Sequence, residues 1–249
     1  MILKLSGTSF TYAAQDENAA PALEKCDLEI DTTRVTVTLG HNGAGKSTLI
    51  RLLTGQLLGY SGEYAIDGKV QDPARGELLA LNRFGYAPDH PVLEPHLTGL
   101  EMICMAGSFR GWTESQTLAG LGIYREMFEL EDWLENKTCS AYSKGMAKKI
   151  ALVIGLIGDL AYSFLDEPFD GLDPISIHNL KKHLRARREK GIGTFLSSHM
   201  LDAAEKVVDD VILMKSGLVA FAGSYPDLLA GHPQAKGGLE EIYFNLFGT

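Results

Sequence analysis

Arg34–Thr48 reads RVTVTLGHNGAGKST. Its first part, Arg34–Leu39, is a β-branched apolar run of the kind that fills a buried strand. Its second part is glycine-rich and opens onto an amphipathic stretch, Ser47–Leu58. The spacing fits G-x-x-x-x-G-K-[ST] and stands where its chemistry needs it, after a strand and at the start of a helix. Glycines let backbone N–H groups turn inward as an anion cradle. The helix N-terminus adds a favourable dipole. The stretch therefore reads as a phosphate loop made of Gly40, His41, Asn42, Gly43, Ala44, Gly45, Lys46, Ser47 and Thr48. Lys46 supplies a point charge to the β and γ phosphates of a nucleotide, and Ser47 a hydroxyl to Mg²⁺.

Outward from this loop the chain alternates strands and helices, which predicts an α/β sheet core. Residues 1–10 alternate apolar and polar as a strand does, and the polar run AAQDENAAP (13–21) joins the first strands as a loop. Glu63–Ile66 and Arg83–Tyr86 are short strand candidates. Residues 98–158 change character: their pattern is helical, with no convincing strand. Strands return at Tyr162–Leu165, Gly193–Ser197 and Val211–Met214, and a closing hairpin turns at Ser216-Gly217. Asp173 followed by Pro174 is a helix start, a capping carboxylate and then proline in the first turn. That helix carries Ile177, Leu180 and Leu184 on one face, and its basic stretch Lys181–Lys190 reads as a solvated face. A shorter helix is predicted over Met200–Val208.

Tyr162–Glu167 (YSFLDE) is a largely apolar strand that ends in two acids. Beside a phosphate loop, Asp166 suits a Mg²⁺ contact, direct or through water. Glu167 suits polarisation of an attacking water. Taken alone, such an ending is weak, because strands often end in acids at a surface; the loop gives it weight.

Composition narrows the class. The chain has 249 residues and a net charge of −9, a poor balance for general nucleic-acid binding. Its three cysteines, Cys26, Cys104 and Cys139, are scattered and have no metal-ligand spacing. The longest mainly apolar run, Ile150–Gly158, is far short of the roughly 20 residues a spanning helix needs. A role at a membrane would call for another polypeptide.

The motifs, in their order, resemble those of the ABC transporter ATPases over almost the whole chain. GHNGAGKST resembles the Walker A loop and Phe164–Pro168 (FLDEP) the Walker B strand. Between them, Tyr142-Ser143-Lys144-Gly145-Met146 is similar to the LSGGQ signature. Gly171–Pro174 (GLDP) resembles the D-loop and Ser197-Ser198-His199 the H-loop. The resemblance implies a P-loop NTPase core with a mixed β-sheet, an N-terminal antiparallel β-subdomain and an inserted α-helical subdomain. The core would be 1–89 and 159–249; the insert, about 90–158, would carry the signature.

The resemblance also implies ATP and Mg²⁺ as cofactors. A second cassette would pair with this one, and a separate polytopic membrane subunit would hold it on the cytoplasmic face of the cell membrane. Ser143, Lys144, Gly145 and Met146 would meet the γ-phosphate held by the partner cassette, and Asp173 would face the opposite site. His199 would contact the γ-phosphate and orient water. Tyr12 stands where the family stacks adenine, although it reads equally as a core aromatic.

Two positions depart from the family pattern. Lys144 replaces the first glycine of the signature, as in cassettes of bacterial exporters. Asp89, after FGYAP (84–88), replaces the Q-loop glutamine. Two readings stand for it: a Mg²⁺ contact through water, or a turn residue between Pro88 and Pro91. The end, Leu239–Gly248, resembles exporter-type cassettes with a separate membrane chain, or is an amphipathic helix packed on the core. Two other functions remain open: an assembly ATPase outside transport, and a weakly hydrolysing regulator.

Overall fold

The structure, a computed structural model, describes residues 1–12, 20–71 and 83–248. Most of the polar loop read after the first strand, at 13–19, lies outside the described residues. In chain order the elements are β1 (Ile2–Phe10), β2 (Leu23–Asp31), β3 (Val35–Leu39), α1 (Lys46–Leu53), β4 (Ser61–Ile66), β5 (Lys69–Val70) and β6 (Phe84–Ala87). Three helices follow: α2 (Gly99–Phe109), α3 (Glu114–Phe128) and α4 (Lys144–Leu156). Then come β7 (Tyr162–Leu165), α5 (Pro174–Glu189), β8 (Thr194–Ser197), α6 (Leu201–Glu205), β9 (Asp210–Lys215), β10 (Leu218–Ser224), α7 (Tyr225–Gly231) and α8 (Gly238–Phe247).

The strands form two sheets. One is antiparallel, in the order β2-β1-β4-β5; the other is mixed, in the order β10-β9-β3-β8-β7-β6. Within the mixed sheet β9, β3, β8, β7 and β6 run parallel, and only β10 is antiparallel, paired to β9. The chain turns from β9 to β10 through Ser216 and Gly217, both at positive φ (50° and 81°), the geometry of a tight hairpin turn.

Successive residues of a strand point to opposite faces, and the mixed sheet uses both. Val35, Val37, Leu39, Leu165, Leu196, Val211 and Leu213 face one apolar core, shared with the helices α2 to α5 and α8. Tyr162, Phe164, Phe195, Ile212 and Met214 face a second core, shared with α1 and the antiparallel sheet. This two-sided burial is why β3, β7 and β8 are buried at every residue. Helix α1 thus starts at the sheet edge with its apolar side, Leu49, Ile50, Leu52 and Leu53, clamped between the two sheets.

The helical interval is punctuated by its caps. Thr98 with Glu101, and Thr113 with Gln116, form capping boxes at the starts of α2 and α3. Ser143 caps α4, and Asp173 caps α5, with Pro174 in its first turn. Among the described residues no helix is long and apolar enough to cross a membrane.

Three expectations change. Helix α1 stops at Leu53 instead of reaching Leu58. The Thr54 hydroxyl donates to the carbonyl of Ile50 (2.9 Å), and Gly55 at φ 71° turns the chain away. Helix α6 ends at Glu205, with Val207 and Val208 in a turn hydrogen-bonded back to Ala204. The basic stretch Lys181–Lys190 is only partly a solvated face. Arg187 is buried and donates to the Leu156 carbonyl (3.1 Å) and the Ser163 hydroxyl (2.9 Å). Arg188 pairs with Asp209 at 2.9 Å. Helical periodicity puts Arg187 on the line of Leu180 and Leu184, so the face that packs on the sheet includes a guanidinium.

Phe164 touches Phe84, Tyr162 and Phe195 at ring-centroid distances of 5.2–5.8 Å and is fully buried. Phe164→Ala should lower unfolding free energy by about 3–5 kcal/mol. Urea denaturation followed by circular dichroism checks this; a loss under about 1 kcal/mol would mean that the second core is not packed as described.

Candidate functional site

The loop after β3 is shaped by the close approach of its neighbours. Gly45 is the residue before α1, at φ 104°, and a Cβ built there would lie 2.5 Å from the Ala22 carbonyl oxygen. A side chain is excluded twice over, by conformation and by space. No side chain caps α1, and its first turn carries no acid. Its leading N–H groups, which lack intrahelical acceptors, are therefore left with the positive end of the helix dipole. Lys46 is buried, and its ammonium donates to the carbonyls of Gly40 (2.8 Å) and His41 (3.3 Å). The loop is pinned from behind where the Gly217 N–H donates to the Ala44 carbonyl (3.0 Å).

The acid pair sits where β7 ends. Asp166 is almost fully buried and accepts a 2.5 Å hydrogen bond from the Ser197 hydroxyl at the end of β8. The same hydroxyl accepts from the Glu167 N–H (2.9 Å). Glu167 takes φ 48°, a left-handed conformation that is costly for a residue with a Cβ. The kink swings its side chain toward His199. Glu167 Oε2 accepts from the His199 backbone N–H (3.0 Å) and lies 2.8 Å from His199 Nδ1.

These groups meet in one cleft of about 580 Å³. It is lined by Tyr12, Ala22, Asn42, Gly43, Ala44, Gly45, Lys46, Ser47, Thr48, Asp89, Glu167, Asp170 and His199. Gly40 and His41 lie off it; they hold the Lys46 amine through their carbonyls. Asp166 is buried and does not line it. Tyr12 is more than half exposed at the rim; its hydroxyl is 3.2 Å from Thr48 Oγ1 and its ring meets Phe10 edge-on. The exposure removes the alternative of a core aromatic.

Ser143, Lys144, Gly145 and Met146 do not line this cleft. The Ser143 hydroxyl accepts from the Met146 N–H (3.2 Å) at the start of α4. The segment packs on 170–173: a Cβ on Gly145 would lie 2.7 Å from the Gly171 carbonyl oxygen. Lys144 pairs with Asp170 at 2.6 Å, and Lys149 with Asp173 at 2.8 Å. Burial alone would raise the Asp173 carboxyl, but Lys149 and the Ser176 N–H and hydroxyl hold it well below the usual carboxylate range.

Three participants escaped the motif reading. Asp170 lines the cleft beside Glu167. Ser197, quoted only within the H-loop triplet, holds both acids. Lys148 is fully buried, and its ammonium donates to the carbonyls of Asp166 (2.7 Å), Pro88 (3.2 Å) and Asp89 (3.3 Å). Burial pushes this amine down, against the pull of Asp89 and Asp166. A signal was present for Lys148: it shares a helical face with the buried Ala151, Leu152 and Gly155.

No group of three or more His, Cys, Asp and Glu suited to holding a metal occurs among the described residues. The donors near the loop are a hydroxyl, Ser47, and the carboxylates of Asp89 and Asp166. A hard oxygen set this sparse suits Mg²⁺, which keeps waters and takes substrate phosphate oxygens, and does not suit a closed protein cage.

A parallel-stranded sheet with a glycine loop ending its central strand and an acid pair ending another is the P-loop NTPase fold. The ABC transporter family profile matches residues 23–170, and the chain belongs to that family as one of its ATP-binding cassettes. It is 28% identical over 228 residues to the ABC-type transporter ATP-binding protein EcsA of Bacillus subtilis (strain 168), covering 91% of this chain and 90% of EcsA. A solved ATP-binding subunit of an ABC transporter superposes with a TM-score of 0.87 at 30% identity, covering 99% of both chains. A cassette solved as a dimer in a post-hydrolysis state with ADP and Pi shares the fold at a TM-score of 0.74 and 23% identity, covering 89% of this chain and 98% of its own.

Asparagine at position 173 keeps the helix cap and removes the charge. The depressed carboxyl stabilises the fold above its unfolded value, near 4, and that stability disappears as pH falls through the folded value. Asp173→Asn should therefore unfold at lower urea than wild type at pH 7, with the gap closing progressively below about pH 4. A gap that stays constant with pH would show that the Lys149–Asp173 pair does not stabilise the chain.

Proposed function

We propose that this chain binds MgATP in the cleft and hydrolyses it to power an ABC transporter. It would work paired with a second cassette and with a separate membrane subunit. The observation that carries the reading is the meeting, in one cleft, of Lys46, an uncapped helix N-terminus and the Glu167–His199 pair.

Each residue has a defined task. The amides of Gly43–Thr48 and the Lys46 ammonium receive the β and γ phosphates. Ser47 and Asp166, with Asp89 at the rim, would hold Mg²⁺, which when bound draws charge from the phosphate oxygens. Glu167 accepts a hydrogen bond from the attacking water and orients it. His199, held by that same carboxylate, lines the cleft and would donate to the γ-phosphate. Tyr12 offers a ring face to the base.

The signature has no phosphate of its own to meet. Ser143 and Lys144 are exposed at the start of α4 and lie off the cleft of their own chain. A second cassette would bring its Ser143 and its own α4 N-terminus to the γ-phosphate held here, and Asp173 would face that junction. ATP would then bridge two cassettes, and hydrolysis would release them. Closure would reach the membrane subunit through Asp89 and the helical lobe. The family relationship supports a membrane-spanning partner.

Glu167→Gln should keep ATP affinity within about twofold and lower kcat by about 10²–10⁴. Steady-state ATPase assays check this; full-speed turnover would remove Glu167 from the reaction. Lys46→Ala should weaken ATP binding by about tenfold or more, as read by calorimetry; unchanged affinity would mean that the loop does not hold the phosphates. Glu167→Gln with MgATP should sediment as a dimer and without nucleotide as a monomer; monomer in both conditions would count against the shared site.

A further inference from the structure

Helix α4 sends three lysines to three different aspartates around the cleft. Lys144 pairs with Asp170 (2.6 Å), Lys149 with Asp173 (2.8 Å) and Lys148 with Asp89 (3.5 Å). The first pair is open to solvent, and in the second the Asp173 carboxylate is exposed, so water and salt reach both. The third is different. The Lys148 side chain is 1% exposed, and Asp89 Oδ1 is shut off from solvent with no hydrogen-bond donor among the described residues. The other carboxylate oxygen, Oδ2, has His90 Nε2 at 3.5 Å, but that ring is 83% exposed. The buried charge opposite Asp89 is therefore the Lys148 ammonium.

Asp89 lines the same cleft as the phosphate loop and Glu167. Glu167 and Asp170 are also carboxylates of that cleft, and Asp166 lies beneath it. A triphosphate brings several more negative charges to the same volume. An uncompensated carboxylate at this rim repels that anion, and the repulsion is strong where water is excluded. Lys148 is held in place by three carbonyls, those of Pro88, Asp89 and Asp166, so it cannot swing away.

We propose that Lys148 is a positioning residue whose fixed ammonium supplies the counter-charge for Asp89, so that the rim of the cleft accepts a nucleoside triphosphate despite carrying a carboxylate. The proposal rests on the nucleotide reading of the cleft. It makes positions 89 and 148 a coupled pair: an acid at 89 needs a cation at 148, and a neutral residue at 89 does not. A purely structural Lys148, a tie between backbone carbonyls, has no such dependence on the charge at 89.

The test is a double-mutant cycle read as ATP affinity by calorimetry in EDTA and again with Mg²⁺, with urea midpoints recorded for each variant. Lys148→Met should weaken ATP binding by about tenfold. In EDTA, where no Mg²⁺ is held, Lys148→Met/Asp89→Asn should return to within about twofold of wild type, although the carbonyl ties remain lost. A double variant as weak as Lys148→Met overturns the proposal. Asp89→Asn alone keeps the proposal testable should Lys148→Met not fold. In EDTA it should bind ATP at least as tightly as wild type, and a several-fold loss there overturns the counter-charge role. Wild-type protein that binds no ATP refutes the nucleotide reading itself and the proposal with it, a result distinct from a cycle that binds but shows no coupling.

Discussion

The parallel run β3-β8-β7-β6 brings the loop, the acids and His199 together, because each strand delivers its functional group at the same, carboxyl, end. From β3 comes the phosphate loop, from β6 Asp89, from β7 Asp166 and Glu167, and from β8 Ser197 and His199. Register does the alignment. Thr38 is opposite Ser197, Leu165 is opposite Leu196, and Ala87 is opposite Leu165, so the strands run out together. Ser197 then locks the result by bonding both acids of the neighbouring strand. The two apolar cores hold this arrangement from either face, so the cleft stands on a rigid platform.

Charge is the second organising constraint. The chain is acidic, and its cleft concentrates carboxylates where an anion is to be received. The loop answers with amides, the α1 dipole and Lys46; α4 answers with lysines set against Asp170, Asp89 and Asp173. Helix α4 also begins at the signature, and its Lys148 donates to the Asp166 carbonyl at the end of β7. One element therefore links the signature with the acids of the cleft. Glu167 contributes through conformation as well as charge, since its left-handed backbone turns a strand end toward His199.

Much of this could be read in the residues before any coordinates. The phosphate loop, the buried strands β3 and β7, the hairpin turn at Ser216-Gly217 and the capped start of α5 each follow from local rules that the structure obeys. What could not be read depends on hydrogen-bond partners that a residue pattern does not name, most of them distant in sequence. The length of α1 is set by a threonine that bonds back into its own last turn, a detail that periodicity alone does not carry. Arg187 looked like part of a solvated basic face because charge suggests water, yet the Leu156 carbonyl and the Ser163 hydroxyl, both far along the chain, give it partners inside. Lys148 was hidden for the same reason. Ser197 was in view within its motif and Asp170 stood between two motifs, but their roles needed the distances to Asp166 and Lys144.

The most direct test of the central claim is hydrogen–deuterium exchange with and without MgATP, using Glu167→Gln to prevent turnover. The account predicts that slowed exchange is strongest over residues 40–48 and extends to the strand ends at 166–167 and 197–199, where the phosphates are held. Unchanged exchange over 40–48 at saturating nucleotide would contradict it.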